Sequence, residues 1–455
     1  MGFQEIIDKY FVPKLRTYGI ARTYIKMKPG VMVSNLEYLK YIYKHPGRYL
    51  HVPHSPTIHS NQARASRDIP KGGAVQMENA RCVLMTVFSC DLLPSNGKDW
   101  KIRREIIGPL FRLGWEPTNF GEIVIEFFQR LETTNSIPNL HHAMKLLTLD
   151  IIGKVLFGFD FQAIRHPESE HVTTFYTAID ADRFPVGKRR QDWVTTENFR
   201  KWLATIAINK SKSMEGGQQD SGNPPQDVLS ALVQAWLNGK LEFEETLNEA
   251  FALIFAGHDT TATALTCAIY LLARHPEIQT KVRAEVNREL QHHTSSMGIP
   301  AITEIKRLNY LEAVIKETMR LYPPAPLIPT RVVAQDTSLG AIPLPKGTMV
   351  TLNLYALHRD EKHWENPDKF DPDRWLSPEG MLRDLPAWSA FTDGMRMCIG
   401  KSLAMNELRI VLSMLVRRYH LSLPHDSPHK ETLHFGQSFL FAPEDLEVIH
   451  TRLTD

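Results

Sequence analysis

Residues 244–274 form the longest helical pattern in the chain, and the polar centre of that pattern limits how the helix can be used. The stretch is apolar through Phe251, Leu253, Ile254 and Phe255, then polar at Gly257-His258-Asp259-Thr260-Thr261. It is apolar again through Ala264, Leu265, Ile269, Leu271 and Leu272. A transmembrane span is disfavoured, because an aspartate at mid-bilayer costs about 2.5–3.5 kcal/mol. An ordinary core helix leaves an acid and two hydroxyls at its centre unexplained, where threonine tends to bond back to the carbonyl four residues earlier and bend the helix.

Composition narrows the class. At roughly 150 residues per domain, 455 residues suggest about three domains, a prior that fails for one large core. With 43% hydrophobic and 23% charged residues the chain has ample apolar material for such a core. A net charge of +2 does not point to nucleic acid. Cys82, Cys90, Cys267 and Cys398 are too few in so long a chain for a disulfide framework, so no disulfide partner is expected and a reducing compartment is. No run of 18 or more apolar residues lies near the N-terminus, so neither a membrane anchor nor a signal peptide is expected. Met1-Gly2 does not complete a myristoylation motif, because position 6 is Ile6.

A second stretch carries metal chemistry. In Phe391-Thr392-Asp393-Gly394-Met395-Arg396-Met397-Cys398-Ile399-Gly400 a single cysteine stands between two glycines, ahead of a helical pattern over Ile399 to Leu415. A thiol in a turn that opens a helix is driven towards thiolate by the positive helix end. Glycines on both sides let the backbone approach a flat ligand. One thiolate suffices for a soft metal only if other ligands hold it, a condition haem iron meets. The stretch resembles the haem-binding signature of the cytochrome P-450 monooxygenases, Phe-x-x-Gly-x-Arg-x-Cys-x-Gly, at Phe391, Gly394, Arg396, Cys398 and Gly400.

The resemblance extends from about residue 15 to about residue 450, and it implies a mainly α fold with a small β-region. It further implies one domain over residues 1–455, with haem b between the long helix and the helix after the cysteine loop, and Cys398 as axial thiolate. Trp100 and Arg104, four apart on one helix face, match a pair that meets a haem propionate. Arg331 and Arg396 match further propionate ligands, as a planar guanidinium suits an anion. Ala256 to Thr261 match the oxygen-activation motif. In it Gly257 clears a side chain from the haem face, Thr260 hydrogen-bonds dioxygen or a neighbouring water, and Asp259 relays protons inward. Glu317 and Arg320, with Arg374 in Phe370-Asp371-Pro372-Asp373-Arg374-Trp375, match a buried charged cluster that holds the core behind the thiolate. Phe251, Phe255, Ala256, Ala325, Leu327, Ile328 and Phe439 fall where the family points side chains at substrate, and each equally suits ordinary core.

The rest of the chain reads more coarsely. A short helix over residues 5–19 precedes strands at Ala21 to Met27 and Val31 to Ser34, joined by a turn at Lys28-Pro29-Gly30. Asn35 caps a helix through Tyr43. Residues 51–80 read as a long loop with one short helix between 60 and 80. Leu146 to Phe161 follows the helical period. Residues 164–200 give no clear assignment, and Ser211 to Gln226 reads as a surface loop. The span from Phe161 to Asp227 looks short for the two helices that roof the family's pocket. Thr330 to Asn353 reads as strands with turns at Leu339-Gly340 and Pro345-Lys346-Gly347.

The implied activity is monooxygenation of a lipophilic small molecule by hydroxylation or epoxidation, with a place in secondary metabolism. No flavin or nicotinamide fingerprint occurs, so electrons are expected from an NADPH-dependent flavoprotein reductase, docked on a basic patch at Lys101, Arg103, Lys401 and Arg409. The chain is expected to be soluble as given, on the cytoplasmic side, and endoplasmic reticulum-associated if an anchor has been lost. The motif wording resembles microsomal-type, fungal members. The alternatives within reach are a haem-thiolate isomerase or dehydratase, which needs no proton relay, and a non-catalytic haem-binding relic.

Overall fold

The computed structural model describes residues 4, 7–25, 28–51, 92, 95–112, 114–180, 189–215, 225–291, 298–383, 385–436 and 440–453. The loop read at 51–80, Cys82, Cys90 and Phe439 lie outside the described residues, apart from His51. The chain divides into two compact units: residues 1–50, 114–155 and 257–455 in the first, 51–113 and 156–256 in the second.

The first unit holds the β-structure. Strands β1 (Ile20–Ile25) and β2 (Lys28–Val33) form an antiparallel hairpin. Ile25 pairs with Lys28, so Lys28-Pro29-Gly30 belongs to a strand and is not the hairpin turn. Pro29 and Gly30 instead lie within β2, opposite Tyr24 and Thr23. The sheet has order β1-β2-β8-β5-β3, with β3 at Tyr49–His51, β5 at Leu327–Val333 and β8 at Met349–Asn353. A second sheet joins β4 (Ser136–Ile137), β10 (Val448–Arg452) and β9 (Tyr419–Ser422). A third pairs β6 (Thr337–Leu339) with β7 (Ile342–Leu344).

Helix α1 is Val12–Tyr18, and α2 (Leu36–Lys44) starts where the Asn35 side chain accepts the Tyr38 N–H at 3.1 Å. This unit also holds α4 (Pro117–Leu131) and α5 (Leu140–Ile152), the latter capped by Asn139, which accepts the His142 N–H. The period read from Leu146 continues past α5 as a π-helical stretch, Gly153–Phe157. Later come α10 (Pro276–Glu289), α11 (Asn309–Leu321) and α12 (Lys401–Arg418), and α12 packs against α4, α10 and α11.

The second unit contains α3 (Gly97–Ile107), α6 (Glu170–Asp180), α7 (Arg189–Glu215) and α8 (Val228–Leu237). The span from Phe161 to Asp227, expected to be short for two helices, carries two, one of them 27 residues long. Ser211 to Glu215, read as loop, is the end of α7. An aromatic cluster explains these weakly periodic helices. Phe175 on α6 lies 5.1 Å from Phe199 on α7, and Trp202 on α7 stacks on His171 of α6 at 5.6 Å.

The long helix α9 runs Phe243–Arg274, one residue beyond the pattern at its start, and the division between the units falls within it. Among the described residues no helix is long and apolar enough to cross a membrane.

Candidate active site

The cysteine loop is built on backbone hydrogen bonds. The Cys398 N–H donates to the Phe391 carbonyl at 3.0 Å, and Met397 N–H to Gly394 O at 3.1 Å, closing a 3₁₀ turn over Gly394–Arg396. Helix α12 begins three residues after Cys398 with Gly400 at its cap, and Cys398 is exposed. Phe391 packs edge-on to Trp388, and Arg396 is half-buried. Gly394 has another task than admitting a flat ligand. Its φ is +72°, and an added Cβ would come 2.8 Å from the Tyr43 carbonyl, so glycine is required to seat the loop on α2. The other described cysteine outside this loop, Cys267, is fully buried, and burial pushes its thiol far up from its ordinary value.

Behind the loop, Glu317 and Arg320 on α11 are fully buried and paired twice, Nε to Oε2 at 2.8 Å and Nη2 to Oε1 at 2.9 Å. Arg374 Nε donates to Glu317 Oε1 at 3.1 Å and Trp375 Nε1 to Oε2 at 2.9 Å, so sequence-distant residues converge on one carboxylate. His358 accepts the Ser389 N–H on Nε2 while its carbonyl accepts from Arg320. Burial, then the Arg320 and Arg359 cations, hold its imidazole down at about 3.

Arg331 on β5 is the contrasting cation. It is 2% exposed, its Nε has no hydrogen-bond partner, and its guanidinium lies over the Tyr43 ring at 5.7 Å. Burial pulls its basicity below the ordinary arginine value. An unpaired buried N–H with no carboxylate beside it among the described residues suits an anionic cofactor group such as a propionate. Among the described residues no three His, Cys, Asp or Glu side chains gather as a metal site.

The polar centre of α9 faces two ways. Ala256 is exposed and Thr260, one turn on, is half-exposed. His258 and Asp259 are buried against α5. Gly257 does not clear the haem side, because an added Cβ there would meet Ile152 of α5 at 2.8 Å, so this glycine admits a neighbouring helix. The Thr148 hydroxyl on α5 lies 3.1 Å from the His258 carbonyl and 2.9 Å from that of Met144 on its own helix, and Thr261 bonds back to Gly257 O at 2.9 Å. His141 and Lys145 on α5 approach Asp259, contacts that helical periodicity could not reveal.

In the second unit Trp100 and Arg104 are half-buried on α3. Between them Arg103, read as part of a basic docking patch, is buried and bound to Glu245 at 2.6 Å and Glu249 at 2.7 Å, both on α9. The Glu249 contact is off the N–H axis and therefore ionic in character. Burial pushes the Glu249 carboxyl up to about 7, against the pull of Arg103 and the Leu92 N–H. Arg409, also assigned to that patch, is paired with Glu312, while Lys101 is exposed beside Glu105. The patch therefore loses two of its four charges to internal ion pairs. Of the apolar residues that suited either substrate or core, Phe251 is 1% exposed and packs on Phe199 and Phe175, and Ile328 is buried. Phe255, Ala325 and Leu327 are half-buried.

This helical fold, with one cysteine loop ahead of α12 and a polar break in α9, defines a haem-thiolate class of protein. The family model described as Cytochrome P450 matches residues 74–450, and the chain belongs to that family. It is 42% identical over 421 residues to the steroid 17-alpha-hydroxylase/17,20 lyase of Oryzias latipes, covering 82% of this chain and 78% of that one. It is 29% identical over 364 residues to cytochrome P450 4d2 of Drosophila melanogaster, covering 72% of each. Among solved structures, the cytochrome P450DA heme domain superposes with a TM-score of 0.79 at 20% identity, covering 100% of this chain and 94% of that one. The first two of these are animal proteins, and neither bears on the microsomal-type, fungal expectation beyond the family itself. The chain is a haem-dependent monooxygenase, an oxidoreductase that incorporates molecular oxygen, and its cofactor is haem b with an axial cysteine thiolate.

Proposed function

We propose that Cys398 supplies the axial thiolate and that the chain hydroxylates or epoxidises a lipophilic small molecule with electrons from an NADPH-dependent flavoprotein reductase. The relative named a steroid hydroxylase and lyase supports a lipophilic substrate. The family match spans both compact units, which supports treating the chain as one domain. When bound, haem supplies the iron that activates dioxygen, and a thiolate ligand donates electron density that favours O–O cleavage.

The chain's own residues do the rest. Arg331, with Arg396, Trp100 and Arg104, holds the propionates; Phe391, Gly394 and Gly400 shape the cysteine loop; and Glu317, Arg320 and Arg374 hold the core behind it. The observation that carries the reading is the split in α9, where Thr260 shares the open face with Ala256 while Asp259 is buried on the α5 side. A hydroxyl on the open face can hold a hydrogen bond at the reacting oxygen, and an acid on the protected face can move protons without admitting bulk water. In the first unit the half-buried Ala325 and Leu327 are the residues that this reading assigns to the substrate.

Turnover with reductase, NADPH and a panel of lipophiles tests this. Product containing one atom from labelled dioxygen is expected, with more peroxide and less product per NADPH in Thr260→Ala. Product without label, or formed without NADPH, would overturn it.

A further inference from the structure

Asp259 has charged company on another helix. His141 and Lys145 are four residues apart on α5, so they share a face. His141 Nε2 lies 3.8 Å and Lys145 Nζ 3.9 Å from the same atom, Asp259 Oδ1. The side chains are 10%, 7% and 1% exposed respectively, so the histidine and the lysine each keep a small solvent contact that the acid lacks. The helices come close at this level, where Gly257 admits Ile152 and the Thr148 hydroxyl lies 3.1 Å from the His258 carbonyl.

Hydrogen-bond accounting at Thr266 favours one tautomer of the histidine. The single hydroxyl proton of Thr266 goes to the Ala262 carbonyl at 2.7 Å. At 3.3 Å from His141 Nδ1 the same hydroxyl can therefore only accept, and Nδ1 carries a proton. That leaves Nε2, the nitrogen facing Asp259, as the one that gains and loses a proton. Imidazole is the side chain whose ordinary titration lies near neutrality, whereas an ammonium serves as fixed charge. A buried carboxylate also needs a cation close by to stay ionised.

We propose that His141 is the residue that reloads Asp259 with protons during turnover, and that Lys145 keeps Asp259 ionised between loadings. This rests on the reading of Asp259 as the relay acid. The transfer needs the 3.8 Å gap to close to hydrogen-bond length, as catalytic contacts do in the working complex. The Nε2–H bond of the imidazolium breaks, an O–H bond forms at Asp259 Oδ1, and the neutral imidazole takes a new proton from bulk water. No electrons move. Among the described contacts, the ionisable groups around the acid include His141 and Lys145 from α5 and His258, its buried neighbour on α9.

The test uses His141→Gln, which keeps a donor for Thr266 and cannot carry the proton. Product per NADPH is expected to fall roughly tenfold, with peroxide rising and the solvent deuterium effect growing. Added imidazole should restore coupling in His141→Ala. Infrared spectra of the haem-free protein at neutral pH should show a protonated carboxyl band in Lys145→Met that is missing from the wild type and from Lys145→Met/Asp259→Asn. Wild-type coupling and isotope effect in His141→Gln, beside an uncoupled Asp259→Asn, would overturn the inference and leave the monooxygenase reading standing. An Asp259→Asn variant that stays fully coupled would instead remove the relay acid itself.

Discussion

Arg320 and Arg331 are both buried in the first unit, 0% and 2% exposed, yet they are treated in opposite ways. Arg320 donates to both oxygens of Glu317 and to the carbonyls of His358, Pro367 and Lys369. Arg331 has an aromatic face and an Nε without an acceptor. A buried cation with all its hydrogen bonds made within the chain is a structural element. One left short of acceptors fits the chain for something it must bind, because an uncompensated buried charge is costly in the protein alone.

The contrast breaks most visibly at Glu317. Replacing it with alanine strands Arg320, Arg374 and the Trp375 N–H together, and should cost about 3–5 kcal/mol. Urea unfolding of the haem-free protein measures this, and a loss well under 1 kcal/mol would show that the cluster is not structural. Arg331→Leu should behave in the reverse sense. Haem should dissociate on the order of 10–100-fold faster, from the loss of a charged hydrogen bond of about 1.5–3 kcal/mol, while the haem-free protein unfolds no more easily than wild type. Transfer of haem to an acceptor protein, beside unfolding curves, separates the two effects.

The second unit offers a third case, Arg103, which has two carboxylates where Arg320 has one. Burial raises the Glu249 carboxyl from 4.5 to about 7 in spite of the Arg103 cation, and the neighbouring Glu245 charge adds to the rise. The folded state then binds a proton more tightly than the unfolded chain between those values. This contribution to stability is complete below the unfolded value and is lost as pH rises through about 7. Glu249→Gln should flatten that slope, a change on the order of a few kcal/mol at most across the window. His358 gives an effect of opposite slope, on the acid side. Its folded value of about 3 lies below 6.5, so its contribution is present above 6.5 and is lost as pH falls towards 3. His358→Gln should reduce the acid loss seen in pH-dependent unfolding.

What could be read from the sequence followed the range of the interactions. Helix α9 was legible to within one residue because its apolar period is local, and Asn35 announced α2 through a bond three residues long. The cysteine loop was legible because five unusual positions lie within ten residues. Charge pairing across the chain was not. Lys101, Arg103, Lys401 and Arg409 look alike on paper, and only the fold brings Glu245 and Glu249 to Arg103 and Glu312 to Arg409. The same holds for Gly257, whose partner Ile152 lies more than a hundred residues away. Helices α6 and α7 were missed because their aromatic cluster, not their own periodicity, holds them.

The central claim is that Cys398 presents a thiolate to haem. The direct test is the absorption spectrum of the dithionite-reduced, carbon monoxide-treated protein, for wild type and Cys398→Ala. A strongly red-shifted Soret band in wild type, absent from Cys398→Ala, is the predicted result. A folded, haem-loaded wild type without that band, or a Cys398→Ala variant that keeps it, would contradict the account.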